Sequence, residues 1–222
     1  MLFRSPGRIR VDMAALGADL LTISSHKLGG PQGAGALILR EGVRITEPLI
    51  RGGGQERNRR AGTENVAAIA GFGAAAACTT TFADDAKRMI ALRDQVEAGI
   101  RAVTPQAMVV AAAGERLPNT SLIVVLGMSA ETAVIAFDLD GVALSSGAAC
   151  SSGKVQPSHV LAAMGFDPML AKSALRISLG RETAQNDVES LLSAWKKLVP
   201  SLSKARSDTN QTAKAAIAAS AA

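Results

Sequence analysis

The sequence ADLLTISSHKLGGPQG, residues 18–33, changes character abruptly at its midpoint. Residues 18–24 form a short apolar run rich in branched side chains, a pattern that indicates a buried strand. The residues that follow are dense in Gly and Pro, which is typical of a tight loop. Glycines in such a loop let a ligand approach the backbone closely. We therefore expect a strand that leads directly into a polar loop centred on Lys27.

The remaining chain alternates between strand-like and helix-like segments, which indicates an α/β fold. Thr63 is expected to cap the first helix and Pro200 to close the last one. The sequence predicts further strands over residues 36–40, 108–113, 121–126, 142–145 and 174–179, and helices over 63–80, 83–103, 130–139, 157–164 and 184–198.

The order of strands and helices, together with the composition of the last residues, predicts three segments. Residues 1–80 and residues 81–200 each contain strands and helices, so a domain boundary is expected near residue 80. Residues 201–222 are small, polar and rich in alanine, and are expected to form a mobile tail.

Composition excludes several classes of protein. The chain has 222 residues, of which 48% are hydrophobic and 19% charged, so it is not a disordered polypeptide. No apolar run is long enough to cross a bilayer. The net charge of +5 comes with one Trp and no Tyr, which argues against a base-stacking surface for nucleic acid. Part of the excess charge lies in an arginine cluster beside three glycines, either a local anion site or a solvated loop: Arg51, Arg57, Arg59 and Arg60.

The cysteines and the first residues bear on the compartment. Cys78 and Cys150 lie far apart and form no disulfide framework. Met1–Pro6 is too short to be a signal peptide, and its charged residue comes too early in the chain. We therefore expect a reduced, cytoplasmic protein.

Lys27 is the first candidate for chemistry. A lysine on a glycine-rich loop could form a Schiff base with a carbonyl cofactor, and the hydroxyls of Ser24 and Ser25 could donate to a phosphate. The alternative is an ordinary loop lysine.

Cys150 is the second candidate. Small and polar residues surround it, with Gly147 and Gly153 on either side, whereas a structural cysteine normally lies among large apolar residues. Such a displayed thiolate could act as a nucleophile, and the alternative is an inert surface thiol. Cys78, on an alanine-rich helix, is expected in the core.

Arg176 is the third candidate. It lies in a predicted strand among mostly apolar neighbours, where its guanidinium needs an anionic partner. That partner is either the carboxylate of a ligand or an Asp or Glu of this chain. Asn119, between Pro118 and Thr120, is expected to be a turn residue and not a ligand.

Together these segments resemble the cysteine desulfurases. SSHKLGGPQG (residues 24–33) is similar to their pyridoxal-phosphate lysine motif, and residues 51–65 resemble the Gly-Gly-Gly-Gln-Glu…Arg-x-Gly-Thr block that follows it. SSGAACSSG (145–153) is similar to the long catalytic-cysteine loop of the nitrogen-fixation and housekeeping branch, and LRISLG (175–180) to the substrate-arginine strand.

The resemblance implies a role for each candidate residue. Lys27 would hold pyridoxal 5'-phosphate covalently and move protons, and Ser24, Ser25 and His26 would contact this cofactor. Thr63 would reach the phosphate of a neighbouring subunit, which implies a homodimer. Arg176 would bind the carboxylate of L-cysteine, and Cys150 would take its sulfur as a persulfide, leaving L-alanine.

The resemblance also implies partners. The sulfur would pass to an acceptor or iron–sulfur scaffold protein, and Cys150 could transiently ligate an iron–sulfur cluster, although no resident metal, nucleic acid or membrane is expected.

The implied fold is a large cofactor domain with a mainly parallel sheet, similar to aspartate aminotransferase, followed by a small α+β domain. Elements that precede the lysine motif in the family have no counterpart here, so the sequence is similar to the C-terminal half alone. A sheet without those strands should expose apolar surface. The alternatives to an active desulfurase are an inactive fragment that serves as a binding module or has no function, and a related enzyme without sulfur transfer, such as an aminotransferase.

Overall fold

The structure is a computed structural model that describes residues 8–147 and 158–204. The chain divides into two compact units, and the boundary falls between Ala86 and Lys87. This boundary lies inside a long helix, α3 (Phe82–Val103). The sequence predicted the boundary near residue 80.

The first unit is built on an antiparallel hairpin. Strand β1 (Leu20–Ser24) leads into a short 3-10 turn and pairs with β2 (Gly35–Leu39), with Leu20 opposite Leu39 and Ser24 opposite Gly35. The family resemblance implied mainly parallel strands, but this pair is antiparallel. Ten residues, 25–34, connect the two strands, fewer than a parallel crossover needs.

Both strands of this hairpin expose large apolar side chains. Leu20 is 55% exposed, Leu37 47% and Ile38 38%. Because neighbouring residues of a strand face opposite sides, Leu37 and Ile38 leave apolar surface on both faces of the hairpin. The prediction of a buried strand over residues 18–24 is wrong, since β1 exposes Leu20 and pairs only with β2 among the described residues. The exposed side chains agree with the expectation of apolar surface in this part of the chain.

A turn and a helix follow the hairpin. The turn, α1 (Gln55–Asn58), is left-handed at Glu56 and Arg57, and the helix α2 (Val66–Ala77) passes into a 3-10 turn over Cys78–Thr81. The prediction that Thr63 caps α2 is wrong. Asn65 is the N-cap, because its side-chain Oδ1 accepts a hydrogen bond from the Ala68 N–H at 3.2 Å.

The second unit is an antiparallel sheet covered by helices. Its strands lie in the order β3 (Met108–Val109), β4 (Thr120–Val124), β6 (Ala174–Ser178) and β5 (Ser145–Ser146). The helices are α3 (Phe82–Val103), α4 (Ala130–Leu139), α5 (His159–Ala163), α6 (Pro168–Ala171) and α7 (Gln185–Lys204). The sequence predicted α4 at these bounds and missed α6.

The core of this unit lies between one sheet face and the long helices. The predicted apolar face of α3 is confirmed, since Met89, Leu92, Val96 and Ile100 are all buried. The Trp195 ring packs against Phe137 at a centroid distance of 5.7 Å, and its Nε1–H donates to Thr104 Oγ1 at 3.0 Å. Buried aromatic residues with a satisfied polar group contribute strongly to such a core.

Pro200 does not close the last helix, contrary to the prediction. Helix α7 continues through Pro200 to Lys204, so the first residues of the predicted tail are helical. Pro200 is exposed, whereas its neighbour Val199 is 1% exposed in the core, and this packing holds the last turn despite the missing N–H. Residues 205–222 lie outside the described residues. Within the described residues, no helix is long and apolar enough to span a membrane.

Candidate functional site

Lys27 lies in a turn that is closed on itself by backbone hydrogen bonds. The N–H groups of Leu28 and Gly30 both donate to the carbonyl oxygen of Ser25, at 2.9 and 3.1 Å. The Ser25 N–H donates to the carbonyl oxygen of Ala34, at 3.1 Å, which ties the start of the turn to the start of β2. The strand end and these bonds fix the backbone that carries Lys27.

The polar side chains of this turn differ in exposure. His26 is exposed, and Ser24 and Lys27 are half-buried, so none of these three residues is enclosed. Ser25 is fully buried, and its Oγ has no hydrogen-bond partner in the part of the chain described. Ser25 is therefore enclosed by the residues packed around the turn.

Glycine is required at two places around Lys27. Gly29 and Gly33 have φ values of 88° and 84°, a region that other residues rarely adopt. Apart from its chain neighbours, no described residue has an atom within 4 Å of the position that a Cβ would take at Gly29, so the space beside the turn is open among these residues.

A strained turn follows in the arginine-rich segment. Glu56, Arg57 and Asn58 have φ values of 51°, 59° and 63°, three successive left-handed residues that are not glycine. Such residues each cost about 1–3 kcal/mol and are concentrated at functional sites. Arg60 pairs with Glu56 at 3.0 Å, whereas Arg57 is exposed and forms no ion pair with any described residue. The arginine cluster thus keeps positive charge at the surface.

Thr63 is exposed and lies two residues before the cap of α2. It makes no capping hydrogen bond, since Asn65 does so. Its side chain is accordingly available to a ligand or to another chain.

Arg176 lies on the central part of the second sheet. In the register of the strands, it stands opposite Leu122 on β4 and opposite Ser145 on β5. Directly opposed residues share one face of a sheet, and the neighbours Leu175 and Ile177 face the core on the other side. The half-buried Arg176 forms no ion pair or side-chain hydrogen bond within the described residues. The alternative of a structural ion pair therefore has no support among these residues.

Gly147 places the chain after β5 close to Ala174, beside Arg176. Its N–H donates to the Ala174 carbonyl at 2.7 Å, and a Cβ at Gly147 would lie 2.8 Å from the Ala174 Cβ. Any other residue would push the chain away from the sheet. Cys150 follows three residues later in the sequence and lies outside the described residues, as does the rest of 148–157.

Two other sequence predictions can be compared with the structure. Cys78 was expected in the core, and this is wrong, because its side chain is exposed at the end of α2. An alanine-rich helix buries only the face that meets a neighbour, and Cys78 lies on another face. Asn119 is confirmed as a turn residue, because it lies in the turn just before β4. Its amide donates to the Leu179 carbonyl at 2.8 Å.

A buried carboxylate network was missed by the sequence analysis. Glu97 is 3% exposed, and Arg116 donates to both of its oxygens, at 2.6 and 3.3 Å. Ser121 Oγ also donates to Glu97, and Arg93 and Arg101 lie within ion-pair distance. The spacing of Arg93, Glu97 and Arg101 on one helix was the available signal.

The network changes the titration of Glu97. Burial alone would raise the pKa of the Glu97 carboxyl, but hydrogen bonds from Arg116 and Ser121 and the charges of Arg116 and Arg93 outweigh it. The pKa is therefore held below the ordinary value of 4.5. This network joins α3 to β4 and has a structural role.

Comparisons with solved structures identify the class of fold. A NifS-like protein from Rickettsia africae superimposes with a TM-score of 0.80 at 40% sequence identity, covering 90% of this chain and 52% of that one. The two units thus have the α/β fold of pyridoxal-phosphate-dependent transferases. The family model "Aminotransferase class-V" matches residues 4–191, and the chain belongs to that family.

Similar sequences within the family are cysteine desulfurases. The chain is 41% identical over 187 residues to cysteine desulfurase NifS of Azotobacter vinelandii, covering 84% of this chain and 46% of NifS. It is 42% identical over 189 residues to cysteine desulfurase IscS 1 of Archaeoglobus fulgidus, covering 85% of this chain and 49% of IscS 1. The chain spans about half the length of the curated relatives it matches.

Proposed function

We propose that this chain carries the lysine, cysteine and arginine positions of a cysteine desulfurase, which removes sulfur from L-cysteine to give L-alanine and a cysteine persulfide. The observation that carries the proposal is Arg176, a half-buried arginine without a carboxylate partner in the described part of the chain. It lies on a sheet face beside Gly147, which leads to Cys150. Identities of about 41% to proteins named cysteine desulfurase support the same assignment.

The donor set of the Lys27 turn fits pyridoxal phosphate. Ser24 offers a hydroxyl for a phosphate oxygen, and Lys27 offers an amine for the aldehyde. The exposed His26 lies between these two residues in the sequence. The open space at Gly29 leaves room beside the turn. When bound, the cofactor supplies a conjugated ring that accepts electrons from the substrate. We assign Ser25, which is enclosed, to the packing of the turn instead of to the cofactor.

Each remaining residue has a distinct task in this proposal. Arg176 binds the substrate carboxylate, since its planar fork matches two carboxylate oxygens. The Cys150 thiolate attacks the substrate sulfur, and a sulfur–sulfur bond forms as the carbon–sulfur bond breaks. The electron pair of the broken bond stays with the substrate carbon, which takes a proton and becomes the methyl group of alanine. By resemblance, Lys27 Nζ would move protons once the substrate has taken its place.

The proposal extends to partners by resemblance. Thr63 is exposed and does not cap α2. It would reach the cofactor phosphate of a second copy, so the active form would be a homodimer. The persulfide would pass to an acceptor or iron–sulfur scaffold protein, with transient cluster ligation by Cys150. We place the reaction in the cytoplasm, because a persulfide-forming thiol needs a reducing compartment.

The test is release of alanine from L-cysteine with added pyridoxal phosphate, together with mass analysis of Cys150 for a persulfide. We expect Cys150→Ala to abolish both products, with Cys78→Ala as the matched control that retains them. Alanine release that survives Cys150→Ala would contradict the proposal.

A second candidate function is a binding module without catalysis, and the exposed apolar hairpin favours it. Leu20, Leu37 and Ile38 leave apolar surface that a further polypeptide could cover. Alanine release separates the two candidates, since a binding module forms none from L-cysteine.

A further inference from the structure

Helix α2 contacts the loop after Lys27 through residues without bulky side chains. A Cβ added at Gly71 would lie 2.5 Å from Pro31 Cγ and 2.8 Å from Pro31 Cδ. Real Cβ atoms do not approach other atoms so closely, so the proline ring occupies the space that a side chain at Gly71 would need. The contact joins the middle of α2 to the loop four residues beyond Lys27.

A second contact lies one helical turn further along α2. A Cβ added at Gly30 would lie 3.1 Å from the Ala75 Cβ and 2.4 Å from Ser25 Oγ. Gly71 and Ala75 are four residues apart and therefore lie on the same face of the helix. One face of α2 thus meets both Pro31 and Gly30, and Gly30 in turn meets Ser25, the first residue of the Lys27 turn.

The hydrogen bonds of the turn continue this chain of contacts. Gly30 N–H donates to the Ser25 carbonyl at 3.1 Å, so a displaced Gly30 pulls on the residue two positions before Lys27. The direction of a side chain on a three-residue turn depends on the backbone of that turn. The position of Lys27 therefore depends on how closely α2 approaches.

We propose that Gly71 is a positioning residue for Lys27: its missing side chain lets Pro31 lie against α2, and this contact holds the turn in the orientation that presents the lysine amine. The inference rests on the proposed function for the role of Lys27, and its structural part is independent of that role. Gly71 itself touches neither substrate nor cofactor.

The same helix provides a matched control. Gly73 lies two residues further along α2. Apart from its chain neighbours and the backbone of α2, no described residue has an atom within 4 Å of the position of its missing Cβ. Both glycines are inside the helix, where alanine is the better helix former. Gly71→Ala and Gly73→Ala therefore change the helix propensity equally, and only the first places a methyl group against Pro31.

The experiment measures how fast added pyridoxal phosphate, fixed by borohydride, labels Lys27 in the full chain. Relief of the contact at Gly71→Ala needs a displacement of about 1 Å, and misplacements of that size slow reactions by as much as ~10²-fold. We expect labelling to slow by about 10-fold or more in Gly71→Ala and to stay at the wild-type rate in Gly73→Ala. Equal rates in the two variants would overturn the proposal.

Rescue distinguishes positioning from general damage. Pro31→Ala removes the ring atoms that clash and keeps only Cβ, which lies 3.9 Å from the added methyl, an ordinary contact. The double variant Pro31→Ala/Gly71→Ala should recover most of the labelling rate that Gly71→Ala loses. Absence of recovery would overturn the proposal, because the effect would then not come from this contact.

Hydrogen exchange supplies a readout that needs no cofactor. The Leu28 and Gly30 amides should exchange faster in Gly71→Ala than in Gly73→Ala, while amides of α7 stay unchanged. If wild-type Lys27 takes no label, the proposed role of Lys27 is wrong, and hydrogen exchange alone tests the positioning by Gly71. Faster exchange of the Leu28 and Gly30 amides in Gly71→Ala than in Gly73→Ala then supports the positioning. Equal exchange in the two variants overturns it.

Should Gly71→Ala fail to fold, Pro31→Ala alone replaces it, because the single variant loses the contact with α2, whereas in the double variant the methyl group of Gly71→Ala restores an ordinary contact with the Cβ at position 31. Slower labelling at unchanged melting temperature then supports the role of the contact, and unchanged labelling overturns it.

Discussion

Arg176 on β6 stands directly opposite Ser145 on β5, and both residues are half-buried on the sheet face turned away from the main core. The end of this face that includes Ala174 is covered by apolar residues of α5 and α6, among them Leu161 and Leu170. The guanidinium thus lies at the less covered end, beside the strand from which the chain continues to Cys150.

Replacement of Arg176 tests its proposed contact with the substrate carboxylate. A hydrogen bond to a charged group contributes about 1.5–3 kcal/mol, so Arg176→Ala should raise the KM for L-cysteine by about 10-fold or more. Arg176→Lys should recover part of this loss, because lysine keeps the charge but not the bidentate fork. The measurement is alanine release against L-cysteine concentration. If Arg176→Ala left the KM for L-cysteine unchanged, the proposed contact of Arg176 with the substrate carboxylate would be wrong.

The two serines before His26 should behave differently when replaced by alanine. Ser24→Ala removes a hydroxyl open to ligand, and we expect about 10-fold more pyridoxal phosphate to be needed for half-maximal labelling of Lys27. Ser25→Ala removes a buried hydroxyl without a partner in the described residues, so it should leave labelling unchanged and raise the free energy of unfolding by about 1 kcal/mol. If Ser25→Ala weakened cofactor binding as much as Ser24→Ala, the assignment of Ser25 to packing would be incorrect.

The cap of α2 gives a prediction about stability. Asn65→Ala should lower the free energy of unfolding by about 1 kcal/mol, since the Ala68 N–H loses its acceptor. Thr63→Ala is the matched control and should leave unfolding unchanged, because Thr63 does not cap the helix. Chemical denaturation monitored by circular dichroism measures both. Comparable losses would show that the two residues share the cap.

Glu97 should make the stability of the second unit sensitive to acid. Its pKa in the folded chain lies below the ordinary 4.5, so its stabilising contribution is present above 4.5 and is lost as the pH falls through the folded value. Glu97→Gln removes the charge and leaves Arg101 and Arg116 without a carboxylate partner among the described residues. We expect it to lower the free energy of unfolding at neutral pH by about 3 kcal/mol.

The measurement is denaturant unfolding at pH 7 and at several values below 4.5. The difference between wild type and Glu97→Gln should shrink as the pH falls. Asp94→Asn is the control, because Asp94 is largely exposed and pairs only with Arg93 among the described residues. A difference that did not depend on pH would contradict the role given to the Glu97 charge.

Local patterns predicted most elements of the fold. The apolar spacing of Met89, Leu92, Val96 and Ile100 predicts the buried face of α3, since side chains 3 or 4 residues apart lie together on a helix. The prediction that Pro200 ends the last helix was wrong, because core packing of Val199 overrode the local preference of proline. The cap at Asn65 was missed because two good capping residues lie close together in the sequence.

The sequence by itself determined the strand that ends at Ser24, the tight turn that follows and the presence of a lysine within it, because these depend on backbone preferences of neighbouring residues. Only the tertiary structure decided that Ser25 is enclosed while Ser24 is open, that Arg176 has no carboxylate partner in the described residues, and that Pro31 lies against Gly71. Each of these depends on the packing of segments distant in sequence, and no local pattern encodes which atoms will meet there.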